Sequence, residues 1–168
     1  ETKVTTDISD RGFDLTVSAK NVTLEPRSVV LSWTSKFAIP ASSLNKFRMT
    51  PPDTADALPS ERSAVHEISL KPEELPRTWT GLKYSYLSAG SELRLRNVAD
   101  GYTLRMMALT PSIHTVRAEL VPETNTLALT FSTEGPEGKR TVVDPGSTLQ
   151  WHVRIQPTVS NTYAPTIN

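Results

Sequence analysis

Three arginines that flank a tight turn are the residues of this sequence best suited to binding chemistry. Arg94 and Arg96 alternate with leucines before Asp100-Gly101, and Arg105 alternates with apolar residues after it. An Asp-Gly pair between two alternating segments predicts a β-hairpin. In that hairpin Arg105 faces Arg94 or Arg96, and like charges opposed on a ladder are unfavourable without a counter-ion. An acidic group is therefore expected between them.

Two kinds of acidic group satisfy this requirement. One is a carboxylate of the protein itself, and Glu92 and Glu119 are the nearest candidates. The other is an anionic ligand, because the arginine fork binds carboxylate and phosphate groups through two parallel hydrogen bonds. The sequence leaves both alternatives open.

The histidines predict no metal site and no cofactor. His66, His114 and His152 lie far apart, without the short ligand spacing of metal-binding motifs. His114 shares the face of a predicted strand with apolar residues, which indicates either a structural histidine at the core's edge or a donor in a cleft. His152 alternates onto a polar face beside Arg154 and is interpreted as solvated surface.

Carboxylate pairs give little support for hydrolytic chemistry. Glu73-Glu74 lies in a short turn bounded by prolines, and Glu134 and Glu137 flank a Gly-Pro turn. Neither pair lies in an apolar run of the kind that would bury a carboxyl group and raise its pKa, so solvated turns are the interpretation. The chain also lacks a nucleophile motif and a phosphate-binding glycine loop.

Charge and composition exclude several classes of protein. Eighteen basic residues balance eighteen acidic ones among 168, which argues against a general nucleic-acid binder. The absence of cysteine excludes disulfides and thiolate sites. No apolar stretch reaches the roughly 20 residues of a membrane-spanning helix. The first residue is Glu1, so we expect a processed N-terminus and favour a periplasmic or extracellular location.

Alternation with a period of two residues predicts an all-β fold. The clearest strand is 149–155, in which Trp151 and Val153 face one side and His152 and Arg154 the other. Polar turns separate successive strands, and only residues 71–75 suggest a turn of helix. Further strands are predicted at 13–19, 29–33, 64–70, 92–97, 102–109, 113–120 and 126–132. An antiparallel β-sandwich follows.

Two stretches lack this alternation of apolar and polar residues. Residues 39–63 carry four prolines among small polar residues and are predicted to form a long irregular connection. Residues 157–168 form a polar C-terminal tail without a core-directed pattern. The predicted organisation is one β-sandwich domain over 1–156, followed by that tail.

Three segments carry a resemblance to a known family. LSWTSKFAI at 31–39, GLKYSYL at 81–87 and TLALTFS at 126–132 resemble, in this order, three segments that carry site residues in the aldose 1-epimerase (galactose mutarotase) family. The final strand after Asp144-Pro145-Gly146 is similar to the family's last strand. The resemblance implies a mutarotase-type supersandwich, shortened relative to the family's usual chain. It leaves open that another domain or chain completes the site.

The same resemblance implies that the family's chemistry is altered here. Thr34 stands at the position of the general acid histidine, Lys83 at that of the sugar-binding aspartate, and Ser132 at that of the catalytic glutamate. A threonine hydroxyl is no acid near neutral pH. A shift of two residues would keep the strand's facing and place Glu134 at the base position.

These observations predict a non-catalytic carbohydrate-binding or interaction module for acidic or phosphorylated sugars. The expected ligand-binding residues are Thr34, Lys83, Arg94, Arg105, Ser132 and Trp79. Trp79 is either a sugar-stacking platform beside Tyr84 and Tyr86 or a buried anchor. One alternative is an active epimerase that uses Glu134 as base and His114 as acid. Another is a structural β-sandwich domain of a larger exported protein.

Overall fold

The strands of the protein form where apolar and polar residues alternate. The computed structural model describes residues 1–10, 12–54, 67–71, 75–83 and 91–159. Within these ranges the chain forms strands joined by turns and two short 3-10 helices, at Ala41–Lys46 and Pro136–Gly138. The strands are β1 (Thr2–Ser9), β2 (Gly12–Lys20), β3 (Arg27–Val29), β4 (Ser32–Ala38), β5 (Phe47–Thr50), β6 (Ile68–Ser69), β7 (Arg77–Thr80), β8 (Glu92–Asn97), β9 (Tyr102–Ala108), β10 (Thr115–Val121), β11 (Thr126–Ser132), β12 (Thr141–Val143) and β13 (Thr148–Val159).

Two large antiparallel sheets make up the sandwich. The first has seven strands in the order β1-β2-β13-β9-β8-β5-β6, and the second has four in the order β4-β11-β10-β7. A small ribbon pairs β12 with β3. The prediction of an all-β antiparallel sandwich is confirmed.

The core lies between the inward faces of the two sheets. Trp151 and Val153 of β13 and Leu15 of β2 contribute from the larger sheet, and Leu127 and Leu129 of β11 from the smaller one. All five are at most 1% exposed. Burying side chains of this size stabilises the fold by about 1.5–3 kcal/mol each. Because neighbouring residues of a strand point to opposite sides, each sheet keeps an outer face for its polar residues.

The hairpin around Asp100-Gly101 joins β8 to β9 as predicted. Gly101 has φ +72°, a left-handed conformation that glycine adopts without steric cost. In the resulting register Arg94 lies directly opposite Arg105, while Arg96 faces Thr103. The turn therefore fixes which arginines meet on the outer face of the larger sheet.

The prediction of an irregular connection over 39–63 is wrong for its first part. Residues Ala41–Lys46 form a 3-10 helix and Phe47–Thr50 form β5, an interior strand of the larger sheet. Met49 is fully buried there, between Leu95 of β8 and Ile68 of β6. A strand this short shows too little alternation to be recognised among flanking prolines. Residues 55–66 lie outside the described residues.

The ends of the chain also differ from the prediction. The last strand continues to Val159, because Pro157, Thr158 and Val159 pair with β9. The predicted tail thus includes three strand residues, and residues 160–168 lie outside the described ranges. The sequence pattern did not identify β1, since none of its eight residues is buried and the strand has no apolar face.

Some predicted features fall partly or wholly outside the described residues. The strand predicted at 64–70 is seen at Ile68–Ser69, whereas His66, Glu73-Glu74, Tyr84 and Tyr86 lie outside. Within the described ranges, no helix has the length and apolar character needed to cross a bilayer.

Candidate functional site

A buried glutamate joins two arginines on the outer face of the larger sheet. Arg105 donates from Nε and Nη2 to the two carboxylate oxygens of Glu92, at 3.0 and 2.5 Å. Arg94 donates from Nε to one of the same oxygens. The Glu92 side chain is 2% exposed, whereas the arginines are each about one third exposed. The counter-ion expected between the arginines is therefore Glu92, and Glu119 lies on the other sheet.

Glu92 remains ionised in this setting. Burial by itself would raise the pKa of its carboxyl group, but hydrogen bonds from Arg105 and Arg94 outweigh the burial and lower the pKa below its usual value. The same pairing raises the pKa of Arg105. A carboxylate held in this way binds a proton weakly, so Glu92 is poorly suited to act as a general base.

A polar cavity of about 510 Å³ lies above this cluster. Arg96 is at its wall and donates to Glu67 at 3.2 Å in an exposed ion pair. Threonine hydroxyls from β5, β9 and β13 complete the lining. We call it the arginine cavity, and its lining residues are Thr50, Glu67, Arg94, Arg96, Thr103, Arg105 and Thr158.

A second charged cluster lies on the same outer face. Arg154 holds Asp14 through two hydrogen bonds of 2.7 and 2.8 Å, and Nε2 of His152 lies 3.4 Å from Asp14. The hydrogen bond from Arg154, together with the charge of Arg154, lowers the pKa of Asp14 against the opposing effect of burial. Interpreting His152 as solvated surface was wrong, because its side chain is only 27% exposed.

The second cluster is not apparent in the sequence because its members come from distant segments. Asp14 lies opposite Arg154 in the β2–β13 pairing, 140 residues apart in sequence. The alternation of Asp14 and Arg154 with apolar residues predicts that both lie on outer faces of their strands. Their opposite charges were the available signal that the two residues form an ion pair. The register that brings them together is set by the whole sheet.

Thr34 and Ser132 lie together on the outer face of the smaller sheet. Thr34 is opposite Thr130, and their hydroxyl oxygens are 2.8 Å apart. Ser132 is 6% exposed and accepts a hydrogen bond from the Glu134 amide at 3.0 Å. Both hydroxyls are thus engaged in local hydrogen bonds, and neither can act as a general acid or general base near neutral pH.

Lys83 and Trp79 belong to the opposite edge of the smaller sheet. Lys83 follows β7, and its backbone amide donates to the Asp53 carbonyl at 3.3 Å. Trp79 is partly buried and packs against the core. Of the two interpretations of Trp79, the geometry favours the buried anchor over the stacking platform.

The expected ligand-binding residues do not form one site. Arg94 and Arg105 project from the outer face of the larger sheet, whereas Thr34 and Ser132 project from the outer face of the smaller one. The core separates the two faces. Any site built around the arginines therefore excludes Thr34 and Ser132.

The two residues proposed for an active epimerase are neighbours. His114 precedes β10 and Glu134 follows β11, and the His114 amide donates to the Ser132 carbonyl at 3.0 Å. His114 also lines a cavity of about 410 Å³ together with Lys139 and Arg140. Glu134 is not among the lining residues. The ionisable side chains at the cavity wall are those of His114, Lys139 and Arg140.

Asn21 of the Asn21-Val22-Thr23 glycosylation pattern has a structural role. Its side-chain amide donates to the carbonyls of Glu25 and Val143, both at 2.8 Å, and its oxygen accepts from Thr23. The residue is 6% exposed. Attachment of a glycan would require these hydrogen bonds to break.

Within the described residues, no group of three or more histidine or acidic side chains is arranged to hold a metal ion. The polar clusters of this protein are instead built from arginine–carboxylate contacts.

Solved structures with the same fold were found by structural comparison. A galactose mutarotase-like protein from Clostridium acetobutylicum is 10% identical with a TM-score of 0.69, and the match covers 94% of this chain and 56% of that one. A candidate aldose 1-epimerase from Escherichia coli K12 is 13% identical with a TM-score of 0.69, covering 95% and 61%. A galactose mutarotase related enzyme from Lactobacillus acidophilus is 13% identical with a TM-score of 0.69, covering 95% and 62%.

These likenesses establish the fold. The predicted resemblance to the galactose mutarotase supersandwich is confirmed, and this chain spans 56–62% of the length of the three structures. No protein-family model matches the sequence, and comparison with curated proteins gives no match. At identities of 10–13% the fold says nothing about which side chains act.

Proposed function

We propose that this chain is a non-catalytic carbohydrate-recognition module whose ligand is an acidic or phosphorylated sugar. The observation that carries the proposal is the arginine cavity, in which three guanidinium groups and three threonine hydroxyls line one open space. Guanidinium groups recognise carboxylate and phosphate, and hydroxyls are suitable partners for sugar hydroxyls. The mutarotase-like fold makes a sugar the natural ligand class to test first.

The charge of the cavity supports an anion rather than a neutral sugar. Three arginines stand against the two carboxylates of Glu67 and Glu92, which leaves one net positive charge. Among the contacts between described residues, Arg94 binds Glu92 only through Nε, so its two terminal nitrogens can donate to a ligand. A carboxylate or phosphate group above Arg94 would supply the missing negative charge.

The same geometry argues against proton transfer at this site. Glu67 is the one carboxylate among the described lining residues, and it is paired with Arg96. Glu92, below the cavity, has a lowered pKa because Arg105 and Arg94 outweigh its burial. No described lining residue is a histidine. Recognition without catalysis is therefore the function that these residues favour.

Calorimetric titration tests the proposal. Glucuronate, galacturonate and glucose 6-phosphate are titrated into the protein, with glucose and galactose as neutral controls. We expect the acidic sugars to bind at least about tenfold more tightly, since a charge-assisted pair contributes about 1.5–3 kcal/mol. Equal binding of acidic and neutral sugars would contradict the charge argument.

Matched variants locate the site. Arg96→Gln is expected to weaken binding of the acidic sugars by about tenfold with little loss of stability, because its ion pair is exposed. Arg117→Gln is the control, since Arg117 is exposed on the outer face of the smaller sheet. Binding that is insensitive to Arg96→Gln, or equally sensitive to Arg117→Gln, would place the ligand elsewhere. Absence of binding to any sugar would favour a structural domain.

A second candidate function is supported by the proximity of His114 and Glu134. An epimerase needs an acid at the ring oxygen and a base at the anomeric hydroxyl. His114 and Glu134 flank adjacent strands, and His114 lines a cavity of about 410 Å³. Optical rotation of freshly dissolved α-glucose or α-galactose measures the activity. Acceleration that is lost in both His114→Gln and Glu134→Gln would support this function, and a rate equal to that of buffer would eliminate it for those sugars.

A further inference from the structure

Strand β1 lies at one edge of the larger sheet with all eight residues exposed. Among the described residues its only partner strand is β2. Val4 and Ile8 are 46% and 81% exposed, and the strand contains neither proline nor glycine. Exposed edges in natural proteins are usually short, bulged or interrupted by proline, because a long regular edge is a template for another strand.

The free backbone groups of β1 belong to alternate residues. Glu1 and Lys20 exchange two hydrogen bonds, from the Glu1 nitrogen at 2.9 Å and from the Lys20 amide at 2.8 Å. In an antiparallel ladder such doubly bonded pairs alternate with unbonded ones. Odd-numbered residues of β1 therefore bond to β2. The amides and carbonyls of Thr2, Val4, Thr6 and Ile8 point away from the sheet.

Strand β1 carries two opposite charges at equal distances from a residue near its centre. Lys3 and Asp7 lie two residues on either side of Thr5, on the outer face of the sheet. If two copies of β1 met antiparallel about Thr5, each Lys3 would lie opposite an Asp7 of the other copy. Opposite charges at directly opposed positions contribute about 0.2–1 kcal/mol per pair. A shift of two residues in either direction would leave one of these charges opposite Thr5.

The environment of Asp7 favours an added cation. Asp7 lies directly opposite Asp14 in the β1–β2 pairing, and like charges at such positions are destabilising. The Asp14 carboxylate is already held by Arg154 through two hydrogen bonds, and His152 lies 3.4 Å away. A lysine from a strand added at the free edge of β1 would lie beside Asp7, on the side away from Asp14.

We propose that β1 pairs antiparallel with β1 of a second copy of this chain, with the twofold axis at Thr5. Thr2 then pairs with Ile8 and Val4 with Thr6, and these are the residues whose backbone groups point outward. The two seven-stranded sheets become one continuous sheet. Because a single strand pair buries less than the ~1,200 Å² of a standard interface, the dimer is expected to be weak, with a dissociation constant in the micromolar range or above.

Analytical ultracentrifugation from about 1 to about 500 µM tests this pairing across the range expected for a weak dimer. Lys3→Asp and Asp7→Lys each place like charges opposite one another, and each is expected to raise the dissociation constant at least about tenfold. The double variant Lys3→Asp/Asp7→Lys restores opposite charges and is expected to restore the dimer. Lys36→Asp, on the exposed outer face of the smaller sheet, is the control and should leave it unchanged.

A proline variant tests the backbone contribution. Thr6→Pro removes an amide that points to the free edge of the sheet, so we expect the fold to remain and dimerisation to be lost. Circular dichroism and thermal unfolding check that the fold is retained. A chain that stays monomeric at the highest concentration would overturn the proposal. So would a dimer that persists in both Lys3→Asp and Thr6→Pro.

Discussion

Arg94 and Arg105 occupy directly opposed positions of β8 and β9, and one buried carboxylate lies between them. Two cations at directly opposed positions of neighbouring strands would repel one another. Glu92 offsets that repulsion, and in return the arginines keep an almost fully buried carboxylate ionised. These three side chains therefore contribute both to the stability of the hairpin and to the charge of the arginine cavity.

Replacing Glu92 by glutamine is expected to destabilise the protein. The substitution keeps the shape but removes the charge that offsets Arg94 and Arg105, so we expect a loss of about 2 kcal/mol in the free energy of unfolding. Urea denaturation followed by tryptophan fluorescence measures the change. Glu119→Gln is the control, because Glu119 is exposed on the smaller sheet. Equal stability of the Glu92→Gln and wild-type proteins would contradict this account.

The contribution of Glu92 to stability is expected to depend on pH. Its pKa is lower in the folded protein than the ordinary value of 4.5, so the folded state binds the proton less readily than the unfolded chain does. The stabilisation is complete above the ordinary value and disappears as the pH falls through the lowered one. Unfolding at a series of pH values should show a steeper acid loss of stability in the wild type than in Glu92→Gln. Parallel curves would be inconsistent with the lowered pKa.

Asn21→Ala is expected to destabilise the loop between β2 and β3. The substitution leaves the carbonyls of Glu25 and Val143 without their donor, and we expect a loss of about 2–3 kcal/mol. Val22→Ser is the matched control, since Val22 is 65% exposed and should change stability by less than about 0.5 kcal/mol. Thermal unfolding compares the two. Similar effects from both variants would mean that the Asn21 hydrogen bonds contribute little.

Gly12→Ala and Gly146→Ala are expected to differ. Gly12 has φ +128°, and a Cβ there would lie 2.5 Å from the Ile155 carbonyl oxygen of β13. Gly146 has φ +78° but open space around it. We expect about 1 kcal/mol of destabilisation at Gly146 from backbone conformation alone, and more at Gly12 from the added clash. Chemical denaturation of both variants tests the ranking, and a smaller effect at Gly12 would refute it.

Features set by local sequence were predictable. The Asp100-Gly101 turn and the need for a carboxylate between opposed arginines follow from alternation and turn chemistry within a short segment. Alternation left open whether Arg94 or Arg96 faces Arg105, and the register of the hairpin places Arg94 there. The choice between Glu92 and Glu119 was not local, because it depended on which strand entered which sheet. It required the placement of β10, which carries Glu119, in the smaller sheet, away from β8 and β9.

Features set by distant strands were not predictable from one sequence. The contact of Asp14 with Arg154 depends on β2 and β13 meeting in one register, across almost the whole chain. The separation of Thr34 from Arg94 depends on which sheet each strand joins. Alternation placed both on outer faces, but it contained no information that these faces lie on opposite sides of one core.

The carboxylate of Glu92 has a consequence for any acidic ligand of the arginine cavity. It occupies some of the hydrogen-bond donors of Arg94 and Arg105, so it competes for these donors with the carboxylate or phosphate group of such a ligand. It also holds both guanidinium groups in place before a ligand arrives, which lowers the entropy lost on binding.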